Sequence, residues 1–179
     1  MKKLVLVCGL AAMFACAAAS AQKSPAPPKG QPPEKAPTAL DKAVQVPRGD
    51  PAMESALKRA HDSLDGFLEL AAAAPAHVKS ASVKVRVREG KNVEDFWVTP
   101  FRPEGGAYGG FLRNQPATIR KYKMGDPMRF TKGDIVDWMY MDDKRKRLVG
   151  NYTGCAVLAK RPVAERENAR VQFGLECEG

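Results

Sequence analysis

The spacing of apolar residues predicts one helix at the start of a folded region. Between Pro51 and Pro75, apolar residues recur at steps of three and four, as they do along one face of a helix. Asp50 is suited to cap this helix, Pro51 to begin it and Pro75 to end it. The predicted apolar face consists of Met53, Ala56, Leu57, Ala60, Leu64, Phe67, Leu68 and Ala71.

After the helix, the hydrophobic period changes to two. Val83, Val85 and Val87 alternate with basic residues, which predicts a half-buried strand with a basic outer face. A turn at residues 90–92 and a returning strand at 93–99 complete a hairpin. Further strands are expected at residues 108–113, 128–131, 135–141, 148–158 and 170–175. The pattern indicates an α+β fold, with an N-terminal amphipathic helix packed on a curved, mostly antiparallel sheet.

The first 21 residues have the composition of a secretory signal peptide. Basic residues 2–3 and an apolar stretch at 4–18 precede the small residues Ala19-Ser20-Ala21, so Gln22 is the expected mature N-terminus. We therefore expect a periplasmic or secreted protein. The alternative is a lipoprotein anchored through Cys16. No apolar run reaches about 18 residues, so no transmembrane helix is expected in the mature chain.

Residues 22–50 differ in composition from residues 51–179. They hold seven of the 14 prolines and no aromatic residue. Such a segment buries too little apolar area to offset the entropy of ordering it, which favours a disordered, extended spacer. A proline-rich ligand for an aromatic groove is the alternative. A single folded domain is then expected at residues 51–179.

The net charge and the absence of several common motifs limit which partners and cofactors are expected for this protein. The chain has 29 Lys and Arg against 20 Asp and Glu, a formal net charge of +9. Outside the cytoplasm, a basic protein meets anionic envelope components before nucleic acid. The sequence does not identify a partner. An anionic envelope component or another protein is one interpretation, and a solvated surface with no charged partner is the alternative that the mixture of both charges along the chain favours. There are two histidines and no CxxC, P-loop or GxGxxG motif, so we expect neither a cofactor nor a metal site.

Three carboxylates are candidates for acid–base chemistry. Glu94, Asp134 and Asp137 lie in or beside predicted strands, and a facing pair of carboxylates can hydrolyse a glycosidic bond. Asp134 and Asp137 are three residues apart, so in a strand they point to opposite faces. Asp134 fits the cap of a turn and Asp137 fits an acceptor of backbone or arginine hydrogen bonds. No catalytic residue is assigned.

Aromatic residues on adjoining strands form the second candidate set. They either pack the core or line a groove with Arg113 and Asn114 on its rim. The binding residues under the groove hypothesis are Trp97, Arg113, Asn114, Asp137, Trp138, Tyr140 and Tyr152.

Cys155 and Cys177 are the only cysteines that remain after removal of the signal peptide. An oxidising compartment favours their pairing, and a disulfide would attach the C-terminal tail to the sheet. Two separate buried thiols are the alternative.

Several short motifs occur in a characteristic order. Together with the first helix, they resemble the YegJ-like family of small bacterial domains (domain of unknown function 2314) over about residues 51–160. The resemblance implies a compact α+β domain with no established activity, so no catalytic residue is carried over. Cys155 is a departure, because the family pattern has a basic residue there. The motifs are Glu94-Asp95-Phe96-Trp97-Val98, Gly109-Gly110-Phe111-Leu112-Arg113-Asn114-Gln115-Pro116, Gly125-Asp126, Asp134-Ile135-Val136-Asp137-Trp138-Met139-Tyr140 and Gly150-Asn151-Tyr152-Thr153.

These patterns favour a non-catalytic binding or interaction module in the periplasm, tethered by its spacer. Two alternatives stay open at this point. One is a small hydrolase of an envelope polymer that uses the acidic residues, and the other is an immunity-type inhibitor.

Overall fold

A six-stranded antiparallel sheet organises residues 49–177, which are the residues that this computed structural model describes. The predicted signal peptide, all but the end of the predicted spacer, and residues 178–179 lie outside the described residues. The spatial order of the strands is β4-β3-β2-β1-β5-β6. The strands are β1 (Val78–Glu89), β2 (Asn92–Glu104), β3 (Ala107–Leu112), β4 (Pro127–Phe130), β5 (Ile135–Asp142) and β6 (Arg147–Gly150).

Four helices in this part of the chain accompany the sheet, and the predicted α+β class with an N-terminal helix packed on the sheet is confirmed. Asp50 caps the first helix as predicted, because its Oδ1 accepts a hydrogen bond of 3.1 Å from the N–H of Met53. No helix within residues 49–177 has both the length and the apolar character needed to cross a membrane. The helices are α1 (Pro51–Asp62), α2 (Leu64–Ala73), α3 (Tyr152–Leu158) and α4 (Val163–Phe173).

The predicted single N-terminal helix is interrupted at Ser63, which separates α1 from α2. The indole N–H of Trp138 donates to the carbonyl of Ala60 at 3.1 Å and to the hydroxyl of Ser63 at 3.2 Å. A continuous helix uses the carbonyl of residue 60 for its own backbone hydrogen bond. The interruption therefore lies where the helix contacts β5, and the helical spacing does not reveal this contact.

The two faces of the sheet follow the alternation seen in the sequence. Val83 and Val85 of β1 are buried beside Phe96 and Val98 of β2. Leu64 and Phe67 of α2 and Trp138 of β5 belong to the same core cluster. The basic residues of β1 lie on the opposite face, as predicted.

The strand predicted at residues 148–158 is wrong beyond Gly150, and the strand predicted at residues 170–175 is wrong. β6 ends at Gly150, α3 begins at Tyr152, and α4 occupies most of the second segment, where Leu175 makes a single bridge to Leu148. Gly150 has a φ of 86°, and a Cβ there would lie 2.3 Å from the carbonyl oxygen of Trp138. Asn151 is next, with a φ of 56°. This left-handed pair turns the chain away from the sheet edge and into α3.

Cys155 consequently lies on α3 rather than at a strand end. Cys155 and Cys177 form a disulfide-compatible pair, with Cα atoms 5.4 Å apart. Beside them, the backbone N–H of Leu148 donates to the carbonyl of Gly174 at 2.9 Å. A small second core of Leu158, Ala169 and Leu175, with Leu148 and Cys155 against it, joins α3, α4 and the tail to β6.

Candidate functional site

A cleft of about 320 Å³ opens beside α1, β6, α3 and the C-terminal tail, and we call it the α1–β6 cleft. It lies within the volume range of small-molecule sites. Small apolar side chains form much of its wall, and charged or aromatic residues form the rest. The apolar residues are Ala52, Ala56, Leu148, Val149, Ala156 and Ala159, and the charged or aromatic ones are Arg59, Arg147, Tyr152 and Glu176.

Two arginines line the α1–β6 cleft. The guanidinium carbon of Arg59 lies 4.9 Å from the centroid of the Tyr152 ring, within cation–π range. The Nη1 of Arg147 lies 3.4 Å from a carboxylate oxygen of Glu176. Among the described residues, the Nε of Arg147 is the one buried side-chain nitrogen or oxygen with no hydrogen-bond partner. A buried donor without an acceptor costs about 1–3 kcal/mol, so the hydrogen bonds of the Arg147 guanidinium are incomplete beside the cleft.

The hairpin between β5 and β6 places Arg147 at the cleft. Asp142 is buried opposite Arg147 and accepts hydrogen bonds from the N–H groups of Lys144 and Arg145 at 3.0 and 3.1 Å. Burial raises the pKa of Asp142, but these hydrogen bonds and the charge of Arg145 outweigh it and hold the pKa below its usual value. The charged turn of this hairpin is therefore organised by one buried carboxylate.

Asp137 anchors α3 and thereby places Tyr152 at the cleft. Asp137 is only 1% exposed. Its side chain accepts hydrogen bonds from the N–H groups of Tyr152 at 3.2 Å and Thr153 at 2.8 Å. It also accepts from the hydroxyl of Thr153 at 2.5 Å and from the N–H of Trp138 at 2.8 Å. These bonds satisfy N–H groups in the first turn of α3 that the helix itself leaves unpaired.

Lys84 completes this buried polar cluster. Its Nζ donates to the hydroxyl of Thr153 at 2.5 Å and lies 3.9 Å from Asp137. The same nitrogen lies 4.5 Å from the centroid of the Trp97 ring. The side chain is only 15% exposed, so burial lowers the pKa of Lys84, while the charge of Asp137 acts in the opposite direction. Sequence reasoning missed Lys84 and Thr153, because strand alternation alone makes Lys84 one of several surface bases.

The predicted aromatic binding residues divide between the two faces of the sheet. Trp138 is buried and stacks on Phe67 with ring centroids 4.7 Å apart. Tyr140 lies 6.2 Å from Trp138, and Tyr152 contacts Trp138 edge-on at 5.5 Å. Trp97 pairs across the sheet with Lys84, next to the Val83–Trp138 pair, and so lies on the opposite face. Of these aromatic residues, Tyr152 lines the α1–β6 cleft.

Asn114 and Arg113 lie beside Trp97. The side-chain oxygen of Asn114 accepts a hydrogen bond of 2.8 Å from the N–H of Trp97. The backbone N–H of Arg113 donates to the carbonyl of Trp97 at 2.9 Å, and its side chain is exposed. The structure therefore brings these three residues together, on the face away from Trp138.

Glu94 holds the loop between β3 and β4. Its carboxylate accepts hydrogen bonds from the N–H groups of Ala117, Thr118 and Ile119 at 2.7, 2.9 and 3.0 Å. Burial raises the pKa of Glu94, but the hydrogen bonds from this loop outweigh it and lower the pKa below its usual value. The contacts fix Ile119, which is buried in the main core.

Asp134 caps the 3-10 turn at Lys132–Asp134, as predicted. Its Oδ2 accepts hydrogen bonds from the N–H and hydroxyl of Thr131 at 2.8 and 2.7 Å. Asp134, Asp137 and Glu94 thus each hold a turn, a helix start or a loop. Within the described range, no group of three or more His, Cys, Asp or Glu side chains is arranged to hold a metal ion.

A second cavity of about 430 Å³ lies on β2, β3 and β4. Gly109 and Gly110 line it, beside Phe111, which is 47% exposed. Arg102 and Arg129 also line it, and both are exposed. The Nη2 of Arg129 donates to the carbonyls of Glu104 and Gly105 at 3.3 and 3.4 Å.

Comparison with known proteins places the chain in a family. Residues 50–177 match the family model described as an uncharacterized protein conserved in bacteria (DUF2314). The chain is also 28% identical to the uncharacterized protein YegJ of Escherichia coli (strain K12) over 122 residues, which are 68% of this chain and 77% of that protein. No solved structure matches. The match over most of the chain, from the cap of α1 to Cys177, means that this protein belongs to the bacterial family DUF2314.

Proposed function

We propose that this protein is an exported, non-catalytic binding module of the bacterial periplasm, and that its partner docks at the α1–β6 cleft. The observation that carries the proposal is the incompletely paired guanidinium of Arg147, which lines an open cleft. Its Nη1 makes a long contact of 3.4 Å with Glu176, and its buried Nε has no acceptor among the described residues. An anionic group of a partner would pair the accessible end of this guanidinium.

The hydrogen bonds that the acidic residues accept within the fold support a binding role over hydrolysis. A carboxylate that acts as an acid or base must reach the substrate, directly or through one water. The side chain of Asp137 is engaged by α3, and both oxygens of Glu94 accept hydrogen bonds from one loop. Freeing either carboxylate for chemistry would dismantle the part of the fold that it holds.

Export is supported by two separate features of the chain. The first 21 residues have the signal-peptide pattern. Cys155 and Cys177 lie close enough to form a disulfide, the kind of bond that persists in oxidising compartments. A periplasmic location would also bring the basic mature chain to the anionic envelope.

A nuclear magnetic resonance titration of the mature chain, beginning at Gln22, tests the proposal. The probes are soluble muropeptides, short glycerol phosphate oligomers and phosphatidylglycerol vesicles. We expect at least one probe to shift the amide signals of Arg59, Arg147 and Tyr152, and the probe to be recovered with unchanged mass. Arg147→Gln should weaken this response, and Arg129→Gln at the second cavity is the matched control.

Two results would contradict the proposal. Shifts confined to the Trp97 face, with the cleft signals unchanged, would move the binding site elsewhere. Cleavage of a muropeptide that is lost in Glu94→Gln or Asp137→Asn, while the variant stays folded, would favour the hydrolase instead.

A further inference from the structure

We infer that the α1–β6 cleft binds a small amphiphilic oxyanion, meaning a carboxylate or phosphate group on an apolar body, and that Glu176 occupies the oxyanion position in the free protein. The inference rests on the proposed function, because it names the ligand class of the same cleft. Three features of the cleft lead to it: its cationic end, its apolar wall and its tail carboxylate.

The cationic end indicates an oxyanion. Guanidinium groups bind carboxylates and phosphates through two parallel hydrogen bonds, which come from Nη1 and Nη2 or from Nη2 and Nε. In Arg147, Nη1 faces Glu176 at 3.4 Å, and Nε is buried without a partner among residues 49–177. A ligand oxyanion that takes the place of Glu176 would bind the guanidinium through Nη1 and Nη2.

The apolar wall indicates that the oxyanion is attached to an apolar body. Ala52, Ala56 and Ala159 present only methyl groups to the cleft, and Leu148 and Val149 lie beside them. Because these side chains are short, the cleft keeps its volume of about 320 Å³. An inorganic ion would leave most of that apolar surface in contact with water, whereas an alkyl chain or ring would cover it.

Glu176 behaves as an internal substitute for the ligand. Its carboxylate is 3.4 Å from Arg147, longer than the 2.7–2.9 Å or so of a strong charge-assisted bond, and its side chain is 54% exposed. The chain on both sides of Glu176 is fixed, by the Leu175–Leu148 bridge before it and by Cys177 after it. The tail thus holds a weakly bound carboxylate where a ligand oxyanion would bind.

Isothermal titration of the mature chain with matched probes tests the ligand class. The probes are hexyl phosphate, hexanoate, inorganic phosphate and hexanol. We expect hexyl phosphate or hexanoate to bind at least about tenfold more tightly than both inorganic phosphate and hexanol, since only they fill both ends of the cleft. The stronger of the two identifies the oxyanion as a phosphate or a carboxylate.

Three variants assign the binding to the cleft. Arg147→Gln should weaken the preferred probe about tenfold or more, because the fork is lost. Glu176→Gln should tighten it by about three- to tenfold, because the internal competitor loses its charge. Arg129→Gln should leave affinity unchanged. Unfolding midpoints establish that each variant is folded, and Arg147→Lys replaces Arg147→Gln if the latter does not fold.

The outcomes separate this inference from the proposed function. Equal binding of hexanol and both anions, or a Glu176→Gln variant that binds more weakly, would overturn the amphiphilic oxyanion. If an envelope probe still shifts the cleft signals in that case, the binding module stands and only its ligand class is wrong. If neither type of probe reaches the cleft, both are wrong.

Discussion

The carboxylate of Asp137 on β5 accepts a hydrogen bond of 2.8 Å from the backbone N–H of Thr153 on α3. This bond connects β5, the strand next to the β6 edge of the sheet, to the helix that carries Tyr152 and Cys155. The acidic residue at the centre of the family motif at residues 134–140 therefore holds the fold around the α1–β6 cleft, and its replacement should lower the stability of the protein.

Replacing Asp137 with Asn should lower the free energy of unfolding by about 2–4 kcal/mol. The change removes the negative charge that faces the largely buried Lys84, and it turns one acceptor oxygen into a donor beside the N–H groups of α3. Urea unfolding followed by circular dichroism measures the effect. Asp62→Asn, at an exposed position on α1, is the matched control and should change stability by less than about 0.5 kcal/mol. A similar small change in both variants would contradict the role assigned to Asp137.

The carboxylate of Glu94 should make stability depend on acid pH. Its pKa in the folded protein lies below the ordinary value of 4.5, so the folded state binds fewer protons than the unfolded state between the two values. The stabilisation is therefore complete above pH 4.5 and is lost as the pH falls through the lowered pKa. Glu94→Gln should be less stable at pH 7 and should lose less stability on acidification.

Unfolding free energies of the Glu94→Gln variant and the parent, measured from pH 7 to pH 3, check this expectation. Glu69→Gln, at an exposed position on α2, should differ from the parent by less than about 0.5 kcal/mol at pH 7. Parallel curves for the parent and Glu94→Gln would show that Glu94 does not couple protonation to folding.

The cysteine pair should be oxidised in the exported protein. A bridge between Cys155 and Cys177 closes a loop with a sequence separation of 22 residues, which should stabilise the fold by roughly 3 kcal/mol in the chain-entropy model. The Cys155→Ser, Cys177→Ser double variant should lose about that amount in urea unfolding. Thiol titration of the unfolded, unreduced mature protein should find no free thiol, and two free thiols per chain would eliminate the bond.

Signal cleavage should leave Gln22 as the N-terminus. The small residues Ala19-Ser20-Ala21 after the apolar stretch make this the favoured site. Intact mass spectrometry of protein purified from the periplasmic fraction measures it. A lipid-modified Cys16 would instead establish a membrane anchor, and a full-length product in the cytoplasm would contradict export.

The sequence by itself determined the elements whose side chains follow a simple local period. The alternation of Val83, Val85 and Val87 with basic residues predicted β1, because one face of the strand is buried and the other is not. Asp50 and Pro51 marked the start of α1 through the chemistry of a helix N-terminus. The order of these elements was enough to establish the α+β class and the antiparallel hairpin of β1 and β2.

Where local preference and long-range contacts disagree, only the tertiary structure determined which secondary structure forms. Residues 152–158 include aromatic and β-branched side chains that favour a strand, yet they form the helix α3. The first N–H groups of α3 donate hydrogen bonds to Asp137 of β5. Ser63 interrupts a well-spaced helix at the place where the indole of Trp138 binds. The α1–β6 cleft has the same origin, since Arg59, Arg147 and Glu176 lie far apart in the chain and meet only when β6, α1 and the tail pack together.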